Sequence, residues 1–184
     1  MIYNEHSNLK DKHSFLSPSN YHWINYTPEK LENVYNNQKS KEEGTILHAF
    51  ASVAIEKRIK LANLKRALNM FVNDSIGFKM ETEQILYYSD NSFGTADAIS
   101  FRDNLLRIFD LKTGITKASF KQLDIYAALF CLEYVIDPTK IEIETRIYQG
   151  NGYEIDTPNP LYIKDIMDKI IEFDKILENI KLMG

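Results

Sequence analysis

The stretch GTADAISFRDNLLRIFDLKTG, from Gly94 to Gly114, decides the fold. With Phe93 before it, this stretch forms two runs rich in strand-forming residues, FGTADAISF and LLRIFDLK, separated by the polar turn RDN at 102–104. Such runs on either side of a polar turn predict two antiparallel strands. Asp97 falls in the first strand and Asp110, thirteen positions later, near the end of the second. Pairing of the strands therefore brings two carboxylates side by side in apolar surroundings.

Two carboxylates held this close need a compensating positive charge. They repel each other, and each loses hydration on a largely apolar sheet. A divalent cation offsets both effects, and oxygen ligands suit Mg²⁺ or Mn²⁺. Lys112 follows Asp110 by two residues and shares its face of the strand, where an ammonium group can orient water or neutralise charge on a phosphate. The alternative is a turn aspartate at Asp97 and a surface ion pair between Asp110 and Lys112. The apolar flanks of Asp110 make that alternative costly.

The segments on either side of this hairpin predict a mixed sheet flanked by helices. FKMETEQILYY (78–88) alternates as a strand before it, and KIEIETRIYQG (140–150) as a fourth strand after it. Helical periodicity predicts helices near 41–60, 62–73, 118–136 and 161–182, with earlier helix starts at Ser17-Pro18 and Thr27-Pro28. NGYEIDTPNP (151–160) has the composition of a loop.

The predicted class is thus α/β, of the α+β kind, with a central sheet of about four strands. Residues 1–16 are predicted to be a flexible N-terminal segment, and residues 17–184 a single domain.

Composition excludes several kinds of site. The chain of 184 residues carries a mild formal charge of −4 and one cysteine, Cys131, which rules out an intramolecular disulfide and a four-cysteine zinc or iron–sulfur site. A glycine-rich phosphate loop is missing from the sequence, so a nucleotide cofactor has no support. There is neither a leader pattern nor an apolar run of membrane-spanning length, which predicts a cytoplasmic protein without a membrane partner.

Several motifs occur in the order found in one nuclease family. The chain resembles the RecB-like branch of the PD-(D/E)XK nuclease superfamily in four features. They are GTADAIS, the step of thirteen positions from Asp97 to Asp110, DLKTG, and the Q-x-x-x-Y spacing of Gln122 and Tyr126. SPSNYHWINYTP, EEGTILHAF and TRIYQG extend the similarity to the phage-encoded exonucleases of that branch. The resemblance runs from about Ser17 to Gln149 and implies a restriction-endonuclease-like core. One departure is Tyr26-Thr27-Pro28, where several relatives carry a cysteine.

The resemblance implies a role for each matched residue. The implied metal ligands are His48 from an upstream helix, Asp97, Asp110 and the carbonyl of Leu111. The implied catalytic residues are Asp97, Asp110, Lys112, Gln122 and Tyr126. Gln122 and Tyr126 share a helix face and would hold the DNA and the catalytic side chains. Core packing is the competing explanation for Tyr126, because its neighbours are apolar.

Further charged residues are weaker candidates. An outer-shell acid has two candidates. One is Glu43, ahead of the helix that carries His48. The other is either Glu81 or Glu83, with Glu81 preferred. Ordinary helix-start and exposed-strand charges explain them equally well. A basic run, predicted to lie along a helix, is either a solvated face or a rim that contacts DNA phosphates. Its members are Lys57, Arg58, Lys60, Lys65 and Arg66.

The function implied by the resemblance is a deoxyribonuclease that depends on Mg²⁺ or Mn²⁺, without an iron–sulfur cluster. An exonuclease on double-stranded DNA ends, acting in recombination or DNA processing, is preferred. An endonuclease or flap-type enzyme on the same core is the first alternative, and a non-catalytic module that binds DNA or protein is the second. The presence of Asp97, Asp110 and Lys112 favours an enzyme. A homo-oligomer, and a phage recombination protein as partner, are both compatible with the resemblance.

Overall fold

The computed structural model describes residues 14–114 and 116–183. Its elements in chain order are a 3₁₀ helix Pro18–Asn25, α1 Pro28–Glu56, α2 Ala67–Gly77, β1 Glu81–Ser89, β2 Ser92–Arg102, β3 Leu105–Lys112, α3 Lys121–Glu133, a 3₁₀ turn Pro138–Lys140, β4 Glu142–Gln149, β5 Gly152–Asp156 and α4 Pro160–Met183. The chain divides into two compact units, Met1–Glu43 and Gly44–Gly184. The predicted flexible segment 1–16 lies outside the described residues except at its last three positions. The single domain 17–184 stays a prediction.

Both early helix starts are confirmed within the first unit. The 3₁₀ helix begins at Pro18, and the indole Nε1 of Trp23 donates to the carbonyl of Ser17 at 3.0 Å. The α1 helix begins at Pro28, where the Thr27 hydroxyl oxygen accepts from the backbone N–H of Lys30 at 3.2 Å. Proline at the first helical position removes one donor that a helix start leaves unpaired, and the Thr27 hydroxyl pairs another. The Ser17 hydroxyl makes no such cap and contacts the Ser19 hydroxyl at 2.7 Å.

One five-stranded mixed sheet forms the centre of the second unit, in the order β1-β2-β3-β4-β5. The three predicted strands β1, β2 and β3 pair antiparallel in sequence order, as expected. The next strand, β4, lies parallel to β3, and α3 provides the crossover that a parallel connection requires. An α/β fold with a mixed sheet is therefore confirmed.

The fifth strand corrects the prediction of about four strands and of a loop over 151–160. β4 ends at Gln149 and β5 begins at Gly152, so Gly150 and Asn151 form a two-residue hairpin turn. Gly150 has a φ of 61°, the sign required at the first central position of a type II′ turn. The composition of NGYEIDTPNP predicted a loop over 151–160, whereas Gly150 and Asn151 make the turn and β5 follows directly.

Helices cover both faces of the sheet in the second unit. On one face, α3 and the first half of α4 pack on a core that includes Leu106, Ile108 and Ile147. On the other, α2 and the C-terminal half of α1 pack on Phe109 and Tyr148. The buried side of α1 consists of Ala51, Ala54 and Ile55, whereas three apolar residues predicted to form its periodic face are exposed. These are Ile46, Phe50 and Val53.

The connection between α1 and α2 corrects a second prediction. Residues 57–66 are not helical, and α2 starts at Ala67 instead of near 62. The side-chain amide of Asn73 accepts from the N–H of Leu61 at 2.9 Å and donates to its carbonyl at 3.1 Å. These bonds replace the helical partners of Leu61, and Arg58 adopts a φ of 53°. The basic run therefore lies in a connection and not along a helix.

Among the described residues, no helix combines the length and the apolar character needed to cross a bilayer.

Candidate metal centre

The β2–β3 hairpin places the two aspartates opposite each other. Its two central turn residues, Asp103 and Asn104, both have positive φ, 51° and 59°, which identifies a type I′ turn. From that turn the paired register runs to Ala98 opposite Phe109, where the ladder ends, and Asp97 and Asp110 are the next residues of the two strands. At this point the Leu111 N–H donates to Oδ2 of Asp97 at 2.8 Å instead of to a strand carbonyl. The hairpin thus ends in a pair of carboxylates, one of them fixed by the backbone of the other strand.

Asp110 is a buried carboxylate with one unpartnered oxygen. The residue is 3% exposed, and its Oδ1 accepts from the Lys112 ammonium at 3.0 Å. Its Oδ2 is buried and finds no hydrogen-bond partner among residues 14–114 and 116–183. Burial raises the pKa of Asp110, the negative charge of Asp97 raises it further, and Lys112 opposes both. A buried acceptor oxygen beside a second carboxylate is the environment that a bound cation would satisfy.

His48 faces the same carboxylate pair from α1. Its Nδ1 lies 3.2 Å from Oδ1 of Asp97, and this hydrogen bond is the main reason that the pKa of His48 is raised. One turn earlier on the helix, Gly44 permits the close approach. A Cβ at that position would lie 2.9 Å from the hydroxyl oxygen of Thr113, just after β3. The missing side chain therefore allows α1 to bring an imidazole to the end of the hairpin.

Glu83 adds a third carboxylate from β1. His48, Glu83 and Asp97 each offer a ligand atom, and these atoms lie within 4.8 Å of one another. In the β1–β2 register, Thr82 opposes Ala98 and Gln84 opposes Ala96, so Glu83 stands across from Asp97. Glu83 is exposed, but partial loss of hydration raises its pKa, the charge of Asp97 raises it further, and His48 opposes both.

The backbone at Glu83 is strained. Its φ is 51°, a left-handed conformation that costs an L-residue roughly 1–2 kcal/mol. Such outliers persist where the surrounding structure demands them, and they concentrate at functional sites. Glu81, the preferred outer-shell acid of the sequence analysis, opposes Ile99 and lies outside the group of ligand atoms. Strand alternation places Glu81 and Glu83 alike, so the sequence carried no signal that separates them.

A chain of hydrogen bonds leads away from Lys112 into α3. The Lys112 ammonium donates to Oε1 of Gln122 at 2.9 Å, and Nε2 of Gln122 donates to the Tyr126 hydroxyl at 3.2 Å. That hydroxyl in turn donates to the carbonyl of Thr95 at 2.6 Å. The structure therefore brings Lys112, Gln122 and Tyr126 together, and it fixes the ammonium between Asp110 and an amide that is itself held in place.

Gly94 makes room for this chain. A Cβ at Gly94 would lie 2.9 Å from Cε1 of Tyr126, so the ring packs directly on the backbone of β2. Tyr126 is only partly buried and its hydroxyl bonds back to the same strand, two residues before Asp97. Core packing, the competing explanation for Tyr126, therefore accounts for the ring but not for the hydroxyl.

The remaining candidates are placed as follows. Glu43, the last residue of the first unit, is exposed and lies 3.8 Å from the Lys39 ammonium. Leu111 is buried and contributes its N–H to Asp97, while a role for its carbonyl as a ligand stays a prediction. Four basic residues predicted to contact DNA are exposed in the connection between α1 and α2: Lys57, Arg58, Lys65 and Arg66.

The group of mutually close ligand atoms consists of carboxylates from β1 and β2 and an imidazole from α1. Asp110 of β3 interacts electrostatically with Asp97 and His48 but is not a member of that group. Hard oxygen donors with one nitrogen suit a divalent cation. In comparisons with known proteins, no family model, curated protein or solved structure matches the chain. The nuclease resemblance therefore rests on the sequence motifs themselves.

Proposed function

We propose that the protein is a divalent-metal-dependent nuclease that hydrolyses phosphodiester bonds in DNA. The observation that carries the proposal is the buried Asp110 carboxylate, which has an unpartnered oxygen, stands opposite Asp97 and is paired with Lys112. Charges of this kind are retained in a core only where something compensates them. The resemblance of the motifs to PD-(D/E)XK nucleases supports DNA as the substrate.

His48, Glu83, Asp97 and Asp110 would hold the cation, which we propose to be Mg²⁺ or Mn²⁺. When bound, such an ion lowers the pKa of a water ligand and offsets negative charge on phosphate oxygens. The buried Oδ2 of Asp110 would gain the partner that it lacks. The backbone N–H of Leu111 holds Asp97 in position through Oδ2 and leaves its Oδ1 directed towards His48.

Lys112 would act on the phosphate. Its side chain is 32% exposed, so the ammonium is open to solvent on one side while Asp110 and Gln122 hold it on the other. From that position it can donate a hydrogen bond to a phosphate oxygen and stabilise the charge that develops in the transition state. Gln122 and Tyr126 are positioning residues in this scheme, because they restrain the ammonium and make no contact that requires the substrate.

An exonuclease on double-stranded ends is our first assignment, as the phage resemblance implies. An endonuclease or flap-type enzyme would use the same residues and would differ in how the substrate enters. A phage recombination partner and a ring-forming oligomer are further expectations of the exonuclease assignment. Covalently closed circular DNA separates the two kinds of enzyme, because an exonuclease has no end to start from.

The test compares linear double-stranded DNA with the closed circle, each with Mg²⁺, Mn²⁺ or EDTA. We expect loss of linear DNA with either metal and none with EDTA. Asp110→Asn and Lys112→Ala should each lower the rate by at least about 100-fold, the upper range for groups that support a metal site. Asp165→Asn, the same chemical change at an exposed position of α4, is the matched control and should cleave normally.

Each outcome decides between the readings. Loss of linear DNA alone supports the exonuclease, whereas cutting of the circle supports the endonuclease. Failure of the wild-type protein to cleave any DNA form, with either metal, would overturn the proposed function and leave a fold that binds without catalysis.

A further inference from the structure

A cavity of about 460 Å³ lies on β4 and β5, a part of the sheet that the proposed mechanism does not use. Its floor is formed by β4 and β5, through Ile147, Gln149 and Gly152. Its sides include Lys117, from the connection before α3, and Glu154 of β5. The volume falls within the range of small-molecule binding sites, about 300–1,000 Å³. The cavity is therefore large enough for one nucleotide.

The strand register connects this cavity to Lys112. Lys112 pairs with Gln149 across the parallel β3–β4 ladder, and Gln149 pairs with Gly152 across the β4–β5 hairpin. Neighbouring strands are about 4.8 Å apart, so the far side of the floor lies roughly 10 Å from the backbone of Lys112. Residues directly opposite each other share a face of the sheet, so Lys112 and the floor of the cavity lie on the same face.

Gln149 also holds the wall of the cavity. Its Nε2 donates to the carbonyls of Gly114 and Thr116, at 2.5 and 2.8 Å, in the connection that leaves β3 just after Lys112. This places the chain segment that carries Lys117 over β4 and β5. A strand of nucleic acid bound with its phosphate at Lys112 would meet this cavity as the next feature along the sheet.

The charges at the mouth of the cavity suit an exchangeable anion. The Lys117 ammonium lies 3.2 Å from Oε1 of Glu154, and the two side chains are 78% and 57% exposed. An ion pair this exposed contributes little to stability, so the ammonium can leave the carboxylate for a phosphate at small cost. Glu154 then acts as a competitor that holds the lysine when no nucleic acid is bound.

We propose that this cavity binds a nucleotide of the substrate strand next to the bond that is cut, and that Lys117 exchanges Glu154 for a phosphate of that strand. The inference rests on the proposed nuclease function for the direction of the strand across the sheet. It adds a binding site formed by β4, β5 and the connection before α3.

The test measures binding without cleavage. Fluorescence anisotropy of a short fluorescein-labelled single-stranded oligodeoxynucleotide in EDTA reports affinity while the metal site is inactive. Lys117→Ala should weaken binding by up to about fivefold, the upper end of the range for an exposed charge pair, and Glu154→Gln should tighten it by a similar factor. Both variants break the same ion pair, so a merely structural role would move affinity in the same direction in each.

Two further readouts locate the effect. Loss of one phosphate contact should reduce the slope of log affinity against log salt by about 0.7 in Lys117→Ala. Gly152→Leu should fill the cavity and weaken binding, because a Cβ there meets nothing within 4 Å among the described residues and its backbone is not in the left-handed region. Lys175→Ala, an exposed lysine lost from α4, is the matched control for net charge and should bind like wild type.

The outcomes separate this inference from the proposed function. If the protein cleaves DNA but Lys117→Ala and Glu154→Gln change the affinity equally or in the same direction, the cavity is not a nucleotide site, and the proposed nuclease function stands. If the two variants change the affinity in opposite directions but the protein cleaves no DNA, the cavity is a nucleic-acid site, and the proposed nuclease function is wrong.

Discussion

Replacing Asp110 with asparagine should stabilise the metal-free protein while it disrupts the proposed metal site. The unpartnered Oδ2 of Asp110 is buried, and an unsatisfied charged group costs more than the roughly 1–3 kcal/mol of a neutral group such as an amide. Asparagine keeps an acceptor for Lys112 but loses the charged part of that bond, about 1 kcal/mol. It also removes the repulsion from Asp97. We expect a net gain of about 1 kcal/mol in the free energy of unfolding, or roughly 2–4 °C in Tm for a chain of this size.

The pH dependence of this gain has a definite sign. Because the pKa of Asp110 is raised in the folded protein, its contribution to stability is fully present below the pKa of the unfolded chain. That contribution is lost as pH rises through the folded pKa. Above that folded pKa the wild-type protein has lost this contribution, whereas asparagine does not titrate. The advantage of Asp110→Asn should therefore be largest above the folded pKa of Asp110 and should shrink as pH falls below it.

Thermal and urea unfolding, followed by circular dichroism in EDTA and again with Mn²⁺, measure both effects. Saturating metal stabilises a protein that binds it, by about 2.7 kcal/mol at 100 times Kd, so wild type should overtake the variant when Mn²⁺ is added. Asp165→Asn should follow wild type in both conditions. The reasoning is refuted if Asp110→Asn is less stable than wild type in EDTA, or if Mn²⁺ stabilises it as strongly as it stabilises wild type.

Three further predictions test the surroundings of the site. Gly94→Ala should lower the free energy of unfolding by about 1–3 kcal/mol, because its Cβ would press on Tyr126. Gly77→Ala, where a Cβ meets nothing within 4 Å among the described residues, should leave thermal unfolding nearly unchanged. Mn²⁺ affinity measured by calorimetry should fall as pH decreases through the raised pKa of His48, since proton and cation compete for the imidazole, and a pH-independent affinity would contradict this. Gln122→Leu should lower kcat roughly tenfold with little change in KM or Tm, because it frees the ammonium of Lys112, and a change in KM alone would argue against a positioning role.

The hairpin and its carboxylate pair could be predicted because their signals are local. Alternation, a polar turn and fixed spacing are enough to set Asp97 against Asp110, and the two-residue step from Asp110 to Lys112 sets the shared face. The helix face of Gln122 and Tyr126 follows from the same kind of periodicity. Each of these relations depends on neighbours within one element or one turn.

The contribution of Glu83 could not be predicted, because it depends on backbone geometry. Glu83 has a left-handed backbone inside β1 and a ligand atom close to Asp97, and nothing in ETEQILYY distinguishes Glu83 from Glu81. The spacing of Leu61, Leu64 and Leu68 predicts a helix where the structure has a connection after α1. The decisive interaction is tertiary, since Asn73 of α2 takes both backbone groups of Leu61. β5 could not be predicted from composition, because NGYEIDTPNP is rich in turn-forming residues, although the turn itself lies at Gly150 and Asn151.

The type I′ hairpin that carries Asp97 and Asp110 also bears on the order of folding. A two-residue turn closes a short loop, so β2 and β3 can pair within microseconds, whereas the parallel β3–β4 pair must await the crossover through α3. The carboxylates therefore meet early, before His48 and Glu83 are in place, and their repulsion opposes the step that should nucleate the sheet. A cation in the refolding buffer would screen that repulsion in the transition state. Metal should thus accelerate refolding as well as retard unfolding, so that the proposed metal site would also assist the assembly of the chain.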